Sequence, residues 1–264
     1  MTIMHLTSAA ACLTIALCGG QAMAASSKWA EAGGGQLRII TEEAPRDGVL
    51  HGAIEIRLQP GWKTYWRDPG EAGVPPQMGI AGSEGIGDAE ILYPAPEWVD
   101  DGYSVYAAYK HSVMLPLRLA VNGDGAPWHL KAQVFAGICE KICIPVQADL
   151  GVAPGEGEIA DDLVAAAFAA LPSPAKPGLE VTGIDDGDGT LTARVDLPDG
   201  AGEASLFLAG GQGWYFGQPK WDGASSFAVT VYDRPDQPAA EAPSWDYTLV
   251  ADGQAVSGTV ALGR

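Results

Sequence analysis

Phe135-Ala136-Gly137-Ile138-Cys139-Glu140-Lys141-Ile142-Cys143-Ile144-Pro145-Val146 reads as two strands joined by a three-residue loop. Trp128 to Phe135 and Cys143 to Leu150 alternate apolar and polar residues, the period of a strand with one buried face. Three residues between such flanks is a common hairpin length. The two cysteines then face each other across the hairpin mouth, within the roughly 4.4–6.8 Å between α-carbons that a disulfide needs.

The same alternation recurs outward from this hairpin. Val49 to Leu58 and Val113 to Leu119 read as strands, with Pro116 hinting at an edge or a bulge. Asp68-Pro69-Gly70 and Val74-Pro75-Pro76 mark turns between them. The 264 residues include 35 Gly and 19 Pro, a density that breaks helices and favours short strands, and without a period of three it excludes collagen. One stretch departs from this. Glu158 to Leu171 is rich in helix formers, carries Asp161 and Asp162 in its first turn, and ends at the stiff Pro172-Ser173-Pro174-Ala175-Lys176-Pro177. Beyond it, Thr190 to Leu197, Glu203 to Leu208, Ser226 to Tyr232, Trp245 to Ala251 and Ala255 to Ala261 read as strands again. The spacing predicts an all-β protein: an antiparallel sandwich over 36–152, a helix and Pro-rich linker over 153–177, and a second small β-sandwich over 178–264. Residues 26–36 read as a short, mobile start.

Residues 1–24 contain no Lys, Arg, Asp or Glu, run apolar from Leu6 to Leu17, and end at Ala22-Met23-Ala24. That is the pattern of a secretory signal peptide cut after Ala24, and it predicts a periplasmic mature chain. The apolar core is too short and too broken by Gly to span a bilayer comfortably, and no later stretch approaches that length, so no membrane span is expected in the mature chain. Cleavage removes Cys12 and Cys18 and leaves Cys139 and Cys143, in a compartment where disulfides persist. A formal net charge of −18 repels phosphates, so nucleic acid is not an expected partner.

The cysteine pair admits three readings. A disulfide that closes so small a loop gains little stability, because the entropy term grows with loop length. At a loop tip, however, a partner thiolate can reach it, which suits a redox-active pair. A plain structural disulfide is the second reading. A metal site is the third, and it would need further ligands such as His111 or His129, which nothing in the spacing ties to the cysteines. Lys141 favours a thiolate by its charge and Glu140 opposes it. Elsewhere, Trp62, Tyr65 and Trp66 in a turn-rich stretch read as core or loop packing, or as a platform for a peptide or sugar. Trp214, Tyr215, Phe216 and Trp221 carry the same two readings. Asp185-Asp186-Gly187-Asp188-Gly189 reads as a hairpin turn, since it lacks the bidentate Glu of a calcium loop. No nucleophile motif includes His51, His111 or His129, and no phosphate-binding Gly loop is present.

Three stretches, in order, resemble a known family. They are Gly61-Trp62-Lys63-Thr64-Tyr65-Trp66-Arg67-Asp68-Pro69-Gly70 followed by Val74-Pro75-Pro76; then Tyr93-Pro94-Ala95-Pro96, Gly102-Tyr103, Tyr109-Lys110 and Leu115-Pro116-Leu117; then Cys139 and Cys143 with Ile144-Pro145. Together they resemble the amino-terminal periplasmic domain of the DsbD/ScsB thiol:disulfide interchange proteins, over about residues 36–152, without that family's membrane and thioredoxin-like domains. The resemblance implies an immunoglobulin-like sandwich, Cys139 and Cys143 as the redox pair, and Cys143 as the sulfur attacked. It implies a cap loop at about Asp100 to Ala108, with Tyr103 and Tyr106 as candidate covers. It implies partners among periplasmic thiol–disulfide proteins, a thioredoxin-like or membrane reductant in trans, no cofactor and no metal, and a setting such as cytochrome c biogenesis or copper tolerance. The competing expectation is a non-catalytic β-sandwich module that binds a protein, a glycan or copper and keeps a structural disulfide.

Overall fold

In the strand Leu130–Cys139, Leu130, Ala132, Val134, Ala136 and Ile138 are buried in one core, which leaves Cys139 on the opposite face. The protein, a computed structural model, is described over residues 25–123, 127–157, 160–187, 189–198, 200–211, 213–235 and 242–263. The leader assigned to 1–24 and its cleavage after Ala24 lie outside these residues.

Two sheets enclose that core. One runs in the order Ala25–Ser26, Gly35–Thr41, Val49–Leu58, Val113–Val121, Ile86–Ile91, with Ala30–Ala32 added to Gly35–Thr41. The other runs Cys143–Val152, Leu130–Cys139, Lys63–Gly70, Val105–Tyr109, Glu97–Asp100, with Gln77–Gly79 added to Leu130–Cys139. Leu37, Ile39, Leu50, Ile54, Ile56, Leu115, Leu117 and Leu119 of the first sheet meet Trp66, Tyr109, Leu130, Val134 and Ile138 of the second. Such facing of two twisted antiparallel sheets is the immunoglobulin-like sandwich.

The helix Asp161–Ala169 lies on the outer face of the first sheet. There Val164 and Ala167 pack on Ile40 and Ala53, and the Phe168 ring lies 4.5 Å from that of His51. Gly35–Thr41 is therefore buried on both faces. Its Arg38 pairs with Glu55 at 2.8 Å instead of meeting water, and both Arg38 and Arg57 stack on Trp29.

Two expectations change here. The segment 26–36 is not a loose start. Ala25 and Ser26 pair with Thr41 and Ile40, and the Ser27 hydroxyl accepts from the Ile39 amide at 2.9 Å. Val113–Val121 is not an edge strand and has no bulge at Pro116, but the ladder to Ile86–Ile91 covers it only from Leu117 onward. The Pro116 carbonyl accepts from Leu92 N, just past the end of Ile86–Ile91, and a residue's N and O leave a strand on the same side. The donor that proline lacks would face Leu92, and the ladder to Ile86–Ile91 ends there.

A second sandwich has its own core of Ile184, Leu191, Leu206, Phe227, Trp245, Tyr247 and Leu249. One sheet is Ser173–Pro174, Gln254–Ala261, Ser244–Ala251, Ala204–Ala209; the other is Glu180–Gly187, Thr190–Asp196, Ser226–Asp233, Tyr215–Phe216, with Lys220–Trp221 beside Ser226–Asp233. The strand pairs are antiparallel apart from Ser173–Pro174. Gly187 pairs with Thr190, which puts a hairpin where the Asp-Gly run stands, and Asp185 and Asp186 are ion-paired to Arg194 and Arg234. Phe207 turns away from its own core into the first one, stacked on Trp98 at 5.0 Å and edge-on to Trp66 at 5.9 Å.

Candidate functional site

Cys139 and Cys143 are the last facing pair of the Leu130–Cys139 and Cys143–Val152 hairpin, bonded to each other with α-carbons 4.1 Å apart. They lie on the outer face of the second sheet, at its end, with Glu140, Lys141 and Ile142 forming the turn. The two sulfurs differ in surroundings. Cys139 is 2% exposed, in a cluster with Tyr65, Val99, Tyr106 and Ala108, whereas Cys143 is exposed. An incoming thiolate therefore meets Cys143 first.

The alternation of Lys63–Gly70 builds the shell around the pair. Trp66 points into the core, so Lys63 and Tyr65 point to the cysteine face. Lys63 is the register partner of Cys139 and donates from Nζ to the Glu140 carbonyl at 3.0 Å. Tyr65 is buried, and its hydroxyl lies 3.1 Å from Cys143 Sγ. A disulfide sulfur carries no proton, so the tyrosine donates. Burial, helped by the Asp101 charge, pushes the Tyr65 phenol above its ordinary range and keeps that proton in place. The ring has room because two of the residues against it are glycines. A Cβ on Gly137 would meet its Cδ2 and Cε2 at 3.2 Å, and a Cβ on Gly73, which has φ +134°, would overlap it.

The segment expected to cap the cysteines is a hairpin in which Asp100 pairs with Val105. Asp101 organises its turn: one carboxylate oxygen accepts from the Tyr103 and Ser104 amides, each at 3.0 Å, and the other from the Tyr106 hydroxyl at 3.2 Å. These bonds hold its carboxyl below the usual range. Tyr106 is buried, 5.3 Å from the Tyr65 ring and beside Cys139, with Lys63 Nζ 5.8 Å from its ring centre. Tyr103 is 99% exposed at the turn tip and covers nothing in this conformation. Ile142, in the turn between the two cysteines, is an exposed apolar side chain, 72% exposed.

By sequence Tyr65, in a turn-rich stretch, reads as core or loop packing or as part of a platform for a peptide or sugar. The stretch is a strand, and the ring is a partner of the disulfide. The period-two spacing of Lys63 and Tyr65, with Trp66 on the other face, carries the signal for which side chains share a face, but not which strand lies alongside. Trp66 is core, Trp62 packs at its margin, and Phe216, Trp214 and Trp221 belong to the second sandwich. Tyr93 and Tyr109 donate to the carbonyls of Pro76 and Pro94, and burial pushes Tyr93 up to about 12. Among the described residues, no three His, Cys, Asp or Glu side chains converge as a metal site would require, and no helix is long and apolar enough to cross a membrane.

Residues 39–152 match the family described as thiol:disulfide interchange protein DsbD, N-terminal. No curated protein matches the chain. The fold is similar to the crystal structure of the N-terminal periplasmic domain of ScsB from Proteus mirabilis, with a TM-score of 0.74 and 23% identity, over 90% of this chain and 98% of that one.

Proposed function

We propose that this chain, whose residues 39–152 match the DsbD N-terminal family, is a periplasmic thiol–disulfide exchange protein that relays electrons between a membrane-linked reductant and periplasmic thiol proteins. The reading rests above all on the asymmetry of the pair, with Cys143 open to solvent and Cys139 buried behind it.

The chemistry needs no further group. A thiolate of the reduced donor attacks Cys143 Sγ in line with the S–S bond. That bond breaks, and its electron pair leaves on Cys139 as a thiolate, which takes up a proton. The donor's second thiol, losing its proton, then attacks the donor sulfur of the mixed disulfide and releases Cys143. The net transfer is two electrons and two protons, leaving an oxidised donor and the Cys139/Cys143 dithiol. The return half-reaction runs through a mixed disulfide between Cys143 and the acceptor, resolved by Cys139. Lys63, in register beside Cys139, favours negative charge on the leaving sulfur, and the Tyr65 hydroxyl favours it on Cys143.

A redox titration of residues 25–264 in glutathione buffers, read by thiol alkylation, tests this. A reversible midpoint between about −120 and −270 mV, the range of exchange proteins, supports the relay. A pair that stays closed until below about −300 mV is a structural staple and overturns it.

A further inference from the structure

Four consecutive residues join the disulfide shell to the second sandwich. Gly70 lies against the Phe216 carbonyl, where an added Cβ would stand 3.2 Å from that oxygen. Glu71 accepts at Oε1 from the Tyr232 hydroxyl of the second sandwich, and at Oε2 from the Val105 amide at 3.2 Å. Ala72 packs on the cluster that contains Cys139, and Gly73 lies on the Tyr65 ring. Val105 is the first residue after the Asp100–Ser104 turn and pairs with Asp100. One carboxylate therefore holds, with its two oxygens, the base of the turn beside the cysteines and a side chain 161 residues further along the chain.

We propose that Glu71 is a positioning residue through which the second sandwich, by way of Tyr232, restrains the Asp100–Ser104 turn and so sets how firmly Tyr106 and Tyr65 shield the Cys139–Cys143 bond. The functional consequence rests on the exchange reading above; the restraint itself does not.

The geometry gives the restraint a direction. The turn is built on Asp101, whose second oxygen takes the Tyr106 hydroxyl, and the Tyr106 ring packs at a tilt on that of Tyr65, the residue that touches Cys143. Movement of the turn is thereby movement of the shell. Within the first sandwich, Val105 N and the Asp100 pairing hold its base. The link from Glu71 to Tyr232 adds an anchor outside that sandwich. Undocking of the two sandwiches would break this bond and loosen the turn, so a partner that pries them apart would loosen the shield over the Cys139–Cys143 bond.

The test is Tyr232→Phe, which removes one hydroxyl from a ring already half exposed and leaves its packing. Hydrogen exchange on the full mature chain should be faster at the amides of Tyr103 to Val105, by about five-fold, the effect of one lost hydrogen bond on a local opening equilibrium. Reduction of the disulfide by dithiothreitol should quicken by a similar factor, with the midpoint potential unmoved. Glu71→Ala should do the same, and Glu71→Gln, which keeps an acceptor, should largely restore both rates. Unchanged exchange at the turn overturns the restraint. Faster exchange with unchanged reduction overturns its control of the shield. A midpoint below the exchange range would overturn the relay alone, since both rates are read without it.

Discussion

The Tyr65 hydroxyl donates to Cys143 Sγ across 3.1 Å, from a ring buried between two glycines. After reduction the same donor faces a thiolate, and a hydrogen bond to a charged acceptor is worth more than one to a neutral sulfur. The donor therefore favours the reduced state. Tyr65→Phe should raise the Cys143 thiol pKa by about one unit and make the couple more reducing by on the order of 30 mV. Thiolate absorbance against pH and a glutathione titration check the two shifts. A variant with an unmoved potential would show that the hydroxyl only packs.

The unequal exposure of the two sulfurs predicts unequal single variants. Cys139→Ser leaves an exposed thiol, which should alkylate quickly and hold a mixed disulfide that has no resolving partner. Cys143→Ser leaves the sulfur that is 2% exposed, and iodoacetamide should label it at least about ten-fold more slowly. Equal labelling would mean that the cluster around Cys139 opens as freely as the hairpin tip.

Much of this was legible from local pattern, and the part that was not has a common cause. Cys143–Val152 buries one face, so period two marks it, and Val49–Leu58 and Val113–Val121 keep enough alternation in sequence to be read although the helix also covers Ala53. Gly35–Thr41 is buried on both faces because the helix covers Ile40, and the run Leu37-Arg38-Ile39-Ile40 shows no clean alternation to read. The cysteine pair was visible because its two strands are joined by three residues. Tyr65 and Glu71 were not, because their partners, Cys143 and Tyr232, are 78 and 161 residues away. Asp101 had the composition of a turn, but its role toward Tyr106 depends on which hairpin lies beside the sulfurs.

Gly137 tests whether the tyrosine slot is as tight as it looks. An alanine there would bring its Cβ to 3.2 Å from the Tyr65 ring and from Val74 Cβ, closer than ordinary contact on two sides. The ring should shift off Cys143, at a cost of about 1–3 kcal/mol, the range for overpacking. Chemical denaturation gives the cost. If the slot governs the sulfur, the potential should move in the same direction as in Tyr65→Phe. A stable variant with an unchanged potential would mean that the ring can retreat without losing its bond.

Phe207 belongs by sequence to the second sandwich and by packing to the first. Leu206 and Leu208 beside it point into their own core, while Phe207 fills the space between Trp66 and Trp98. Phe207→Ala should therefore cost about 3–5 kcal/mol and act on the junction more than on either core. In calorimetry, a single cooperative transition should separate into two. A uniform drop of one transition would place the loss in the second sandwich alone.

Asp68 sits at the same junction, accepting the Gly210 amide at 2.6 Å and the Gly70 amide at 3.3 Å. Burial raises its carboxyl above the ordinary value, more than these amides and Arg67 lower it. A raised folded pKa means that the folded state keeps its proton to a higher pH than the unfolded chain does. The sandwich contact is then favoured below the usual carboxylate range, near pH 4, and loses stability as pH rises from there through the raised value. Asp68→Asn keeps an oxygen for the Gly210 amide and removes the charge. It should be more stable than the parent at pH 7, equal to it near pH 3.5, and flatter in between, as thermal melts across that range would read. A variant weaker at pH 7 would show that the charge, through Arg67, holds the junction closed.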